Sequence, residues 1–512
     1  MLEIKNLTIK TVTGKPIIDK LNIVLNEHDK VAVIGEEGNG KSTLLKVINN
    51  NKTVGEYCNI SGEVHNEALV IGYLEQSLDK DWNNFDVYEY FLKDTPEETI
   101  NYNKYENFNE LLKIFAKIGL PAEILDSNRK IGSLSGGEKV KIQMAKLLLK
   151  HPDVLLLDEP TNDLDIETLE WLEKLINSEK IPILYVSHDE TLLENTANTI
   201  LHMEYLKNKN TARHTVSKVG YSKYIEDREN MLEKQSKNYA REKREYKEDK
   251  KIISNQKSAV RSQQIKIKDS SARRLLNKKM SNILVEEAKA ESKLKTDRPE
   301  TEDPIFISFD SNLKIPERKR VVDLKIDELK IGGKVLARNL ELNIYGPEKV
   351  GIVGTNGVGK TTLLKYLYNE LKKRGDINVG YMPQNYNEIL DPDMIATDYI
   401  IKDLESVDQD LISAYIGRIK LTWTEMNSEI SQLSYGQRAK LMILKMMLDK
   451  NDVLILDEPT RNLSAISNPV IRDIMSSFGG CIISVSHDRK FLREICTKVY
   501  RLDKDGLKPI TI

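Results

Sequence analysis

Most features that would place this 512-residue chain in a membrane or outside the cell are missing. No apolar run approaches the roughly 20 residues that a membrane helix needs. The start, Met1-Leu-Glu-Ile-Lys-Asn6, lacks the charged and apolar segments of a signal peptide. The three cysteines, Cys58, Cys481 and Cys496, have no metal-ligand spacing and cannot all pair with one another. These absences predict a reduced, cytoplasmic protein without a membrane domain.

The sequence does contain an internal duplication. Four motifs recur in the same order, with the second set about 300 residues after the first. The pairs are Gly35–Ser42 and Gly354–Thr361, Leu134–Glu138 and Leu433–Gln437, Val154–Thr161 and Val453–Thr460, and Val186–Asp189 and Val485–Asp488. The recurrence predicts two copies of one α/β domain.

The first of these motifs, Gly-x-x-x-x-Gly-Lys-Ser/Thr, follows a β-type run and precedes a helical pattern, as a phosphate-binding P-loop requires. Its glycines let backbone amides wrap the phosphates, its lysine neutralises the β- and γ-phosphates, and its last hydroxyl coordinates Mg²⁺. The predicted ATP-binding residues are Gly35, Glu36, Glu37, Gly38, Asn39, Gly40, Lys41, Ser42 and Thr43, and Gly354, Thr355, Asn356, Gly357, Val358, Gly359, Lys360, Thr361 and Thr362.

The Asp-Glu pair and the Ser-His-Asp motif of each copy supply candidate catalytic groups. Each aspartate ends a run of four apolar residues, so it is predicted at the tip of a buried parallel strand, where a carboxylate holds Mg²⁺. The glutamate that follows is placed to polarise the attacking water, and the strand-end histidine to sense a γ-phosphate. These residues are Asp158, Glu159 and His188 in the first copy, and Asp457, Glu458 and His487 in the second.

The stretch between the copies differs in kind. From Tyr221 to Glu300 it contains no glycine, and Pro299 is its only proline. A heptad stripe predicts one helix and an apolar face predicts another over about 271–293. The stripe is Ile225, Leu232, Tyr239, Tyr246 and Ile253, and the face is Leu275, Leu276, Met280, Ile283 and Leu284. Together these patterns indicate a helical hairpin; the alternative is a solvated, partly disordered linker.

The remaining motif, Leu134-Ser-Gly-Gly-Glu138 or Leu433-Ser-Tyr-Gly-Gln437, opens a helical pattern, so its serine and small residues form an anion site. All four motifs in this order resemble those of the ATP-binding-cassette (ABC) ATPases in both halves of the chain. The resemblance implies an α/β fold with two P-loop cassette domains joined by the helical hairpin. We assign residues 1–210 to the first cassette, 211–310 to the linker and 311–512 to the second cassette.

In this family the signature serine binds the γ-phosphate of the ATP that is held by the other domain's P-loop. Two composite sites that bind ATP and Mg²⁺ and hydrolyse ATP are therefore implied, in a monomer whose cassettes form an intramolecular sandwich. The first composite site joins the first P-loop with Ser434 and Gly436, and the second joins the second P-loop with Ser135, Gly136 and Gly137. Gln76 and Gln384 match the family's Q-loop glutamines, which approach Mg²⁺ and the attacking water.

The two copies are not equal. Tyr435 replaces a signature glycine, and Arg461-Asn-Leu-Ser464 stands where the first copy has Asn162-Asp-Leu-Asp165. We call these two segments, each with the residues up to the next helix, the D-loops. No aromatic residue in the strand before either P-loop is placed to stack on adenine. We therefore expect loose base selectivity and different hydrolysis rates at the two sites.

Fused cassettes with a charged helical pair between them resemble the ABC-F family, whose members work on ribosomes with the linker reaching toward the peptidyl-tRNA site. Charge location favours an RNA partner, because residues 251–280 contain nine basic residues and one acid, a net charge of +8. No aromatic side chain lies there, so backbone contacts are expected rather than base stacking. The predicted RNA-binding residues are Lys257, Arg261, Lys266 and Lys268.

The second D-loop is similar to that of the antibiotic-resistance branch of this family. Gln76 and Ser135 are separated by 59 positions, against 50 for Gln384 and Ser434, so the arm insertion of housekeeping members is reduced or absent. The resemblance implies a protein that binds the ribosome with ATP, displaces P-site tRNA, protects against lincosamides, streptogramin A and pleuromutilins, and leaves on hydrolysis. The alternatives are a housekeeping ABC-F translation factor and the ATPase subunit of a drug exporter. A DNA-repair ATPase is disfavoured, because long coiled coils and zinc sites are missing.

Overall fold

The computed structural model describes most of the chain. The described residues are 1–50, 52–66, 69–101, 108–126, 128–206, 211–266, 270–291, 315–402, 421–461 and 463–511. The two cassettes form one compact unit, and the hairpin from Ser222 onward forms a second unit. Among the described residues, no helix combines the length and the apolar composition that crossing a lipid bilayer requires.

The first cassette contains strands of both parallel and antiparallel sheets. Its strands are β1 Leu2–Thr11, β2 Pro16–Leu25, β3 Lys30–Ile34, β4 Cys58–His65, β5 Ile71–Leu74, β6 Val154–Asp158, β7 Ile183–Val186, β8 Thr199–Leu206 and β9 Thr211–Ser217. Its α-helices are α1 Lys41–Ile48, α2 Val87–Leu92, α3 Phe108–Ile118, α4 Glu123–Asp126, α5 Gly136–Leu148, α6 Ile166–Ser178 and α7 Glu190–Thr196. Short 3₁₀ turns span Lys52–Glu56, Lys80–Asn84 and Ile131–Ser133.

The linker contains two helices, α8 Tyr221–Lys266 and α9 Ser270–Glu291. They pack through a small apolar cluster in which Ile253, Val260, Leu276 and Ile283 are buried and Tyr246 and Met280 partly so. The hairpin is therefore helical as predicted. The predicted inner face of α9 is partly wrong, because Leu275 is 75% exposed and Leu284 50%. A narrow two-helix contact covers only one stripe of each helix.

The second cassette repeats the arrangement of the first. Its strands are β10 Arg320–Ile331, β11 Lys334–Tyr345, β12 Lys349–Val353, β13 Val379–Met382, β14 Val453–Asp457, β15 Cys481–Val485, β16 Lys498–Asp503 and β17 Gly506–Ile510. Its described α-helices are α10 Lys360–Lys372, α11 Ala396–Ile401, α12 Trp423–Met426, α13 Tyr435–Leu448, α14 Asn468–Ser477 and α15 Arg489–Ile495. Short 3₁₀ turns span Tyr386–Glu388 and Ile430–Gln432.

One six-stranded sheet forms the centre of each cassette. The strand order is β5-β6-β7-β3-β8-β9 in the first cassette and β13-β14-β15-β12-β16-β17 in the second. In each sheet the first five strands are parallel and the last is antiparallel. Strands β6, β7 and β3 are therefore neighbours, and the loops at their carboxyl ends lie at one edge of the sheet, where α/β folds bind ligands. The first P-loop, the Asp-Glu pair and the histidine follow these three strands.

The apolar residues after each P-loop fix the position of its helix. Leu44 and Leu45 of α1 are fully buried against the central sheet of the first cassette. Leu363 and Leu364 of α10 are equally buried in the second. Because these leucines come directly after the P-loop, burying them holds the helix start at the edge where the motifs meet.

The predicted domain limits differ from the strand pairing in one place. Strand β9, which begins at Thr211 inside the predicted linker, pairs antiparallel with β8 along the sheet of the first cassette. Its sequence, Thr211-Ala-Arg-His-Thr-Val-Ser217, has too weak an apolar alternation to mark it as part of a sheet. The division at residues 210 and 310 otherwise stays a prediction.

Candidate ATP sites between the cassettes

Each P-loop curls around the ammonium group of its own lysine. Lys41 Nζ donates hydrogen bonds to the carbonyl oxygens of Gly35 at 2.8 Å and Glu36 at 3.0 Å. In the second cassette, Lys360 Nζ donates to the carbonyl of Gly354 at 2.8 Å. The glycine before each helix has a positive φ, 83° at Gly40 and 107° at Gly359, which explains why glycine is required there. Both lysines are thus held at the start of a helix, where an anion is favoured.

The aspartates predicted as metal ligands end β6 and β14, and each meets the hydroxyl of its P-loop. Ser42 Oγ donates to Asp158 Oδ1 at 2.9 Å, and Tyr73 OH donates to Asp158 Oδ2 at 3.3 Å. Thr361 hydrogen-bonds Asp457, whose other oxygen, Oδ2, is buried without a partner. Burial raises the pKa of both aspartates. A hydroxyl beside a desolvated carboxylate fits Mg²⁺, which prefers oxygen ligands and takes only one or two from the protein beside nucleotide phosphates.

The predicted catalytic glutamates share an unusual backbone conformation. Glu159 has a φ of 49° and Glu458 a φ of 55°, in the left-handed region that side chains other than asparagine and aspartate rarely adopt. The amide of Glu159 donates to the carbonyl oxygen of Val186 at 3.1 Å, and that of Glu458 to Val485 at 2.9 Å. Backbone strain of this kind clusters at functional sites. This backbone conformation turns each carboxylate toward the histidine that follows the neighbouring strand, His188 or His487.

Glu159 is tightly held in the first composite site. Its carboxylate lies 2.9 Å from His188 Nε2 and accepts a hydrogen bond from Asn162 Nδ2 at 3.0 Å. Burial alone would raise the pKa of Glu159, but His188, Lys41 and Asn162 outweigh burial and bring this pKa down to about 2. The group is therefore ionised, as a base must be.

Glu458 is held less tightly in the second composite site. Its carboxylate accepts a hydrogen bond from the amide of His487 at 3.2 Å, but His487 Nε2 is 3.5 Å away. Burial raises the pKa of Glu458 to about 8. Burial, followed by the charge of Lys360, lowers the pKa of His487 to about 3, and the Nδ1 atom of this histidine has no hydrogen-bond partner. The two glutamates thus have opposite electrostatic environments.

Each P-loop contacts the other cassette. In the first composite site, the amide of Gly436 in the signature donates to Glu37 Oε2 at 2.8 Å. In the second, Asn356 Nδ2 donates to the carbonyl oxygen of Asp163 in the first D-loop, and Arg461 forms an ion pair with the Asp163 carboxylate at 2.7 Å. The structure therefore brings each P-loop to the opposing cassette, which the sequence could only infer from a resemblance.

A cavity of about 640 Å³ lies at the second composite site. It is lined by residues of both cassettes, including Gly136, Asn162, Asn356, Gly357, Gly359, Lys360, Thr361, Thr362, Gln384, Asp457, Glu458 and His487. The structure thus brings these predicted residues, together with Asn162, to one cavity. Gln76, the counterpart of Gln384, is exposed in the loop after β5, next to the strand that ends at Asp158. Thr43, the counterpart of Thr362, is half-buried in the first turn of α1.

The two signature serines cap their helices in the same way, but the residues after them differ. Ser135 Oγ accepts from the amide of Glu138, and Ser434 Oγ from that of Gln437. Gly136 has no room for a side chain, since a Cβ there would lie 2.6 Å from the Asp163 carbonyl oxygen. Tyr435 in the equivalent position is 46% exposed. The second signature therefore accommodates a side chain that the first excludes.

Ion pairs between the cassettes have a consistent polarity that the sequence did not reveal. Arg472 of α14 and Glu190 of α7 form a buried pair at 2.5 Å, in which each side chain is 5% exposed. Arg489 pairs with Glu173, and Lys490 with Glu194 at 2.6 Å. Further pairs are Arg501 with Glu167, Arg461 with Asp163, and Lys440 with Glu36. In each of these pairs the base belongs to the second cassette and the acid to the first.

The predicted RNA-binding residues are only partly described. Lys257 of α8 pairs with Glu287 of α9, so its charge is largely used within the hairpin. Arg261 is exposed. The side chain of Lys266 and all of Lys268 lie outside the described residues. Lys257 is thus a weaker candidate than the sequence suggested, because the sequence could not show which acid of α9 lies opposite it.

The sequence model of the ABC transporter family matches residues 18–162 and 337–461, which are 270 of the 512 residues. The chain belongs to this family. Within it, the chain is a tandem ATPase of the ABC-F type and hydrolyses ATP.

Curated relatives match nearly the whole chain. The ATP-binding protein Uup of Buchnera aphidicola subsp. Acyrthosiphon pisum (strain APS) is 29% identical over 508 residues, 96% of this chain and 78% of the relative. ABC transporter F family member 5 of Arabidopsis thaliana is 25% identical over 97% of this chain and 74% of the relative. A crystal structure of the archaeal ribosome recycling factor aABCE1 with the ribosomal stalk protein aP1 has the same fold. Its TM-score is 0.57 at 18% identity, covering 99% of this chain and 90% of that one.

Proposed function

We propose that this ATPase closes its cassettes around two ATP molecules, binds the ribosome in that state, and protects the peptidyl-transferase centre from antibiotics. The observation that carries the proposal is the contact of each P-loop with the other cassette. Gly436 of one signature binds Glu37 of the opposing P-loop at 2.8 Å. Ser434 of the same signature corresponds to the family's γ-phosphate ligand, so we propose that nucleotide at that site bridges both halves.

Hydrolysis is proposed to use the groups gathered at the carboxyl ends of β6 and β14. Lys41 and Lys360 bind phosphate oxygens, and the amides around them complete the P-loop cradle. Glu159 accepts the proton of the attacking water at the first site, where His188 Nε2 lies 2.9 Å from its carboxylate. Glu458 is the corresponding group at the second site and must first lose its own proton, because burial raises its pKa to about 8. Gln76 and Gln384 orient the water, as in the family. Loss of the γ-phosphate removes the group that both cassettes share, so closure is reversed.

We propose that Ser42 with Asp158, and Thr361 with Asp457, hold Mg²⁺ in the two sites. The unpartnered Oδ2 of Asp457 supports this assignment, because a buried carboxylate oxygen without a donor is costly unless a ligand completes it. Bound there, Mg²⁺ would neutralise charge that develops on the β- and γ-phosphates. The hydrogen bond between the hydroxyl and the carboxylate of each pair holds these ligand oxygens in place before ATP arrives.

The linker is proposed to contact ribosomal RNA and P-site tRNA. Its 46-residue helix α8 is about 70 Å long at about 1.5 Å per residue. The unmixed positive charge of residues 251–280 supports contacts with phosphate backbone. Among the predicted contacts, the exposed Arg261 is the most available of those described. We further propose that the protein is a cytoplasmic monomer and that it does not bind DNA.

The choice of the antibiotic-resistance branch rests on the second D-loop. The segment Arg461-Asn-Leu-Ser-Ala-Ile-Ser-Asn-Pro-Val470 is similar to the second D-loop of that branch, and the short interval between Gln76 and Ser135 fits it. We therefore propose lincosamides, streptogramin A and pleuromutilins as the drugs affected. A housekeeping translation factor is the second candidate, and an exporter ATPase is the third.

Ribosome pelleting tests the proposal. We expect the Glu159→Gln/Glu458→Gln protein to sediment with ribosomes in Mg-ATP and to stay free in Mg-ADP, because unhydrolysed ATP keeps the cassettes closed. Equal recovery of this protein in the ribosome-free fraction with either nucleotide would contradict ribosome binding. Co-sedimentation with membranes instead would favour the exporter subunit. Inhibitory concentrations of the three drug classes in an expressing host separate resistance, which raises them, from a housekeeping role, which leaves them unchanged.

A further inference from the structure

The two D-loops use different side chains at the equivalent position before the next helix. In the first cassette, Asp165 caps α6, because its Oδ1 accepts from the Thr168 amide at 3.0 Å and from the Thr168 hydroxyl at 2.6 Å. In the second cassette, Ser464 stands at the position of Asp165. Ser464 Oγ accepts from the amide of Ser467 at 3.1 Å, so a hydroxyl takes the place of the carboxylate, and the side chain of Ser467, the N-cap residue of α14, adds no cap. The second D-loop therefore lacks the carboxylate that organises the first.

A carboxylate from the other cassette lies at this place. Ser464 Oγ donates to Glu36 Oε1 at 2.7 Å, and Ser467 Oγ donates to the same oxygen at 2.5 Å. Both serines are buried, and Lys440 Nζ lies 3.9 Å from Glu36 Oε2. One carboxylate oxygen of Glu36 thus accepts two hydrogen bonds from the second cassette, although 428 positions separate Glu36 from Ser464.

The electrostatics keep this carboxylate charged. Burial alone would raise the pKa of Glu36, but Lys440 and the hydroxyls of Ser467 and Ser464 outweigh burial and lower it. A negative charge next to the first residues of α14 also interacts favourably with the helix dipole. Hydrogen bonds to an ionised acceptor are about twice as strong as neutral ones. The contact is therefore a strong connection between the first P-loop and the second D-loop.

In the second composite site the acid belongs to the D-loop and not to the P-loop. Burial lowers the pKa of Lys360 in the second P-loop, and the charges of Glu458 and of Asp165 in the first D-loop oppose this shift. The P-loop position that corresponds to Glu36 is Thr355, an exposed residue without a charge. At the first site an acid of the P-loop, Glu36, thus contacts the D-loop, whereas at the second site the acids, Asp163 and Asp165, belong to the D-loop.

We propose that Glu36 is a positioning residue for ATP hydrolysis at the first composite site, where its carboxylate replaces the acid that the second D-loop lacks. It holds Ser464 and Ser467 beside the first P-loop and so fixes the second cassette against the nucleotide. This inference rests on the proposed pairing of Lys41 with Ser434 in one site. It goes beyond that pairing by assigning a specific function to a P-loop side chain.

A charge swap tests the proposal. Glu36→Thr removes the acid, Ser464→Asp places a second acid beside it, and Glu36→Thr/Ser464→Asp reproduces the arrangement of the other site. We expect each single change to lower kcat about tenfold, and the double change to return kcat to within about threefold of the starting chain. KM for ATP should change less than kcat, because the P-loop amides remain. Each variant is measured in the otherwise unaltered chain and in the Glu458→Gln chain, where the first composite site supplies the turnover.

A matched control adds the same acid elsewhere. Glu36→Thr/Ser476→Asp has the composition of the swapped protein, but its new acid is at the far end of α14, so it should stay as slow as Glu36→Thr. If Glu36→Thr does not fold, Glu36→Gln removes the charge with the same shape and should also lower kcat. Unchanged kcat in these variants, or a swapped protein as slow as its single parents, would overturn the proposal. The assay contains no ribosomes, so a failure of the proposed ribosome function does not affect its outcome.

Discussion

The two composite sites are made from the same motifs, yet their charges are arranged differently. In the first site, Glu159 is ionised beside His188, and two P-loop acids, Glu36 and Glu37, reach into the second cassette. In the second site, burial raises the pKa of Glu458 to about 8, and the P-loop offers neutral Thr355 and Asn356. A duplicated fold therefore does not imply two equivalent active sites, because side chains outside the shared motifs set the electrostatics.

The ion pairs between the cassettes extend this comparison to the whole interface. The first cassette contributes acids such as Glu190, and the second contributes bases such as Arg472. Two copies of the same cassette would place like charges against each other, which costs energy when they are close. The polarity therefore favours pairing of unlike cassettes, as the two composite sites require.

Removal of the two carboxylates that are proposed to be catalytic, those of Glu159 and Glu458, should have the largest effect. We expect Glu159→Gln/Glu458→Gln to hydrolyse ATP at least about 100-fold more slowly, since a general base contributes on the order of 10²–10⁴. Glu159→Gln alone should remove more turnover than Glu458→Gln, because only Glu159 is ionised and within 2.9 Å of its histidine. Steady-state phosphate release measures both. A Glu458→Gln protein that releases phosphate more slowly than the Glu159→Gln protein would contradict the proposed order of the two sites.

Breaking the buried ion pair should have the next largest effect. Arg472→Met leaves Glu190 in a buried position with only Lys490 at 3.3 Å, so we expect a loss of about 3 kcal/mol in the free energy of unfolding. Urea denaturation measures this loss. Arg501→Ala is the matched control, because Arg501 and Glu167 are 45% and 68% exposed and their pair contributes less than about 1 kcal/mol. Equal losses in the two variants would contradict a buried polar interface.

The two signatures should respond differently to a change in size. Gly136→Ala places a Cβ against the Asp163 carbonyl oxygen, so we expect about a tenfold fall in kcat at the second composite site, measured in the Glu159→Gln chain. Tyr435→Gly, measured in the Glu458→Gln chain, should lower kcat by less than about threefold, because this tyrosine is half-exposed. Similar losses from both changes would mean that the two signatures are equally restrictive.

The smallest expected effect concerns affinity for ATP. Glu37 occupies the amide of Gly436, next to the signature serine that is proposed to bind the γ-phosphate, so Glu37→Asn should tighten ATP binding at the first composite site about fivefold. Asn356→Glu, the mirror change, should weaken binding at the second. Equilibrium titration with a fluorescent ATP analogue, in chains with both catalytic glutamates replaced by glutamine, measures the two dissociation constants. Unchanged constants would show that neither side chain reaches the nucleotide.

Much of the fold follows from local sequence. The P-loops, the Asp-Glu pairs and the strand-end histidines lie where their flanking apolar runs predict, because strand, loop and helix are adjacent in the chain. The hairpin also follows from its heptad stripe, of which Ile253 is the buried end. The sequence wrongly placed Leu275 and Leu284 on the inner face of α9. Apolar residues at helical spacing reveal the period of a helix, but not which of two adjacent rows of side chains faces the partner helix.

By itself, the sequence determined that this protein has two ATP-binding cassettes and a charged helical linker, because each of these is written in contiguous residues. Only the tertiary structure decided which side chains complete each site. Glu37 meets Gly436 across 399 positions of sequence, and Arg472 meets Glu190 across 282. No local pattern encodes such pairs, since they depend on how two finished domains face each other. The unequal chemistry of the two sites is therefore a property of the interface and not of the motifs.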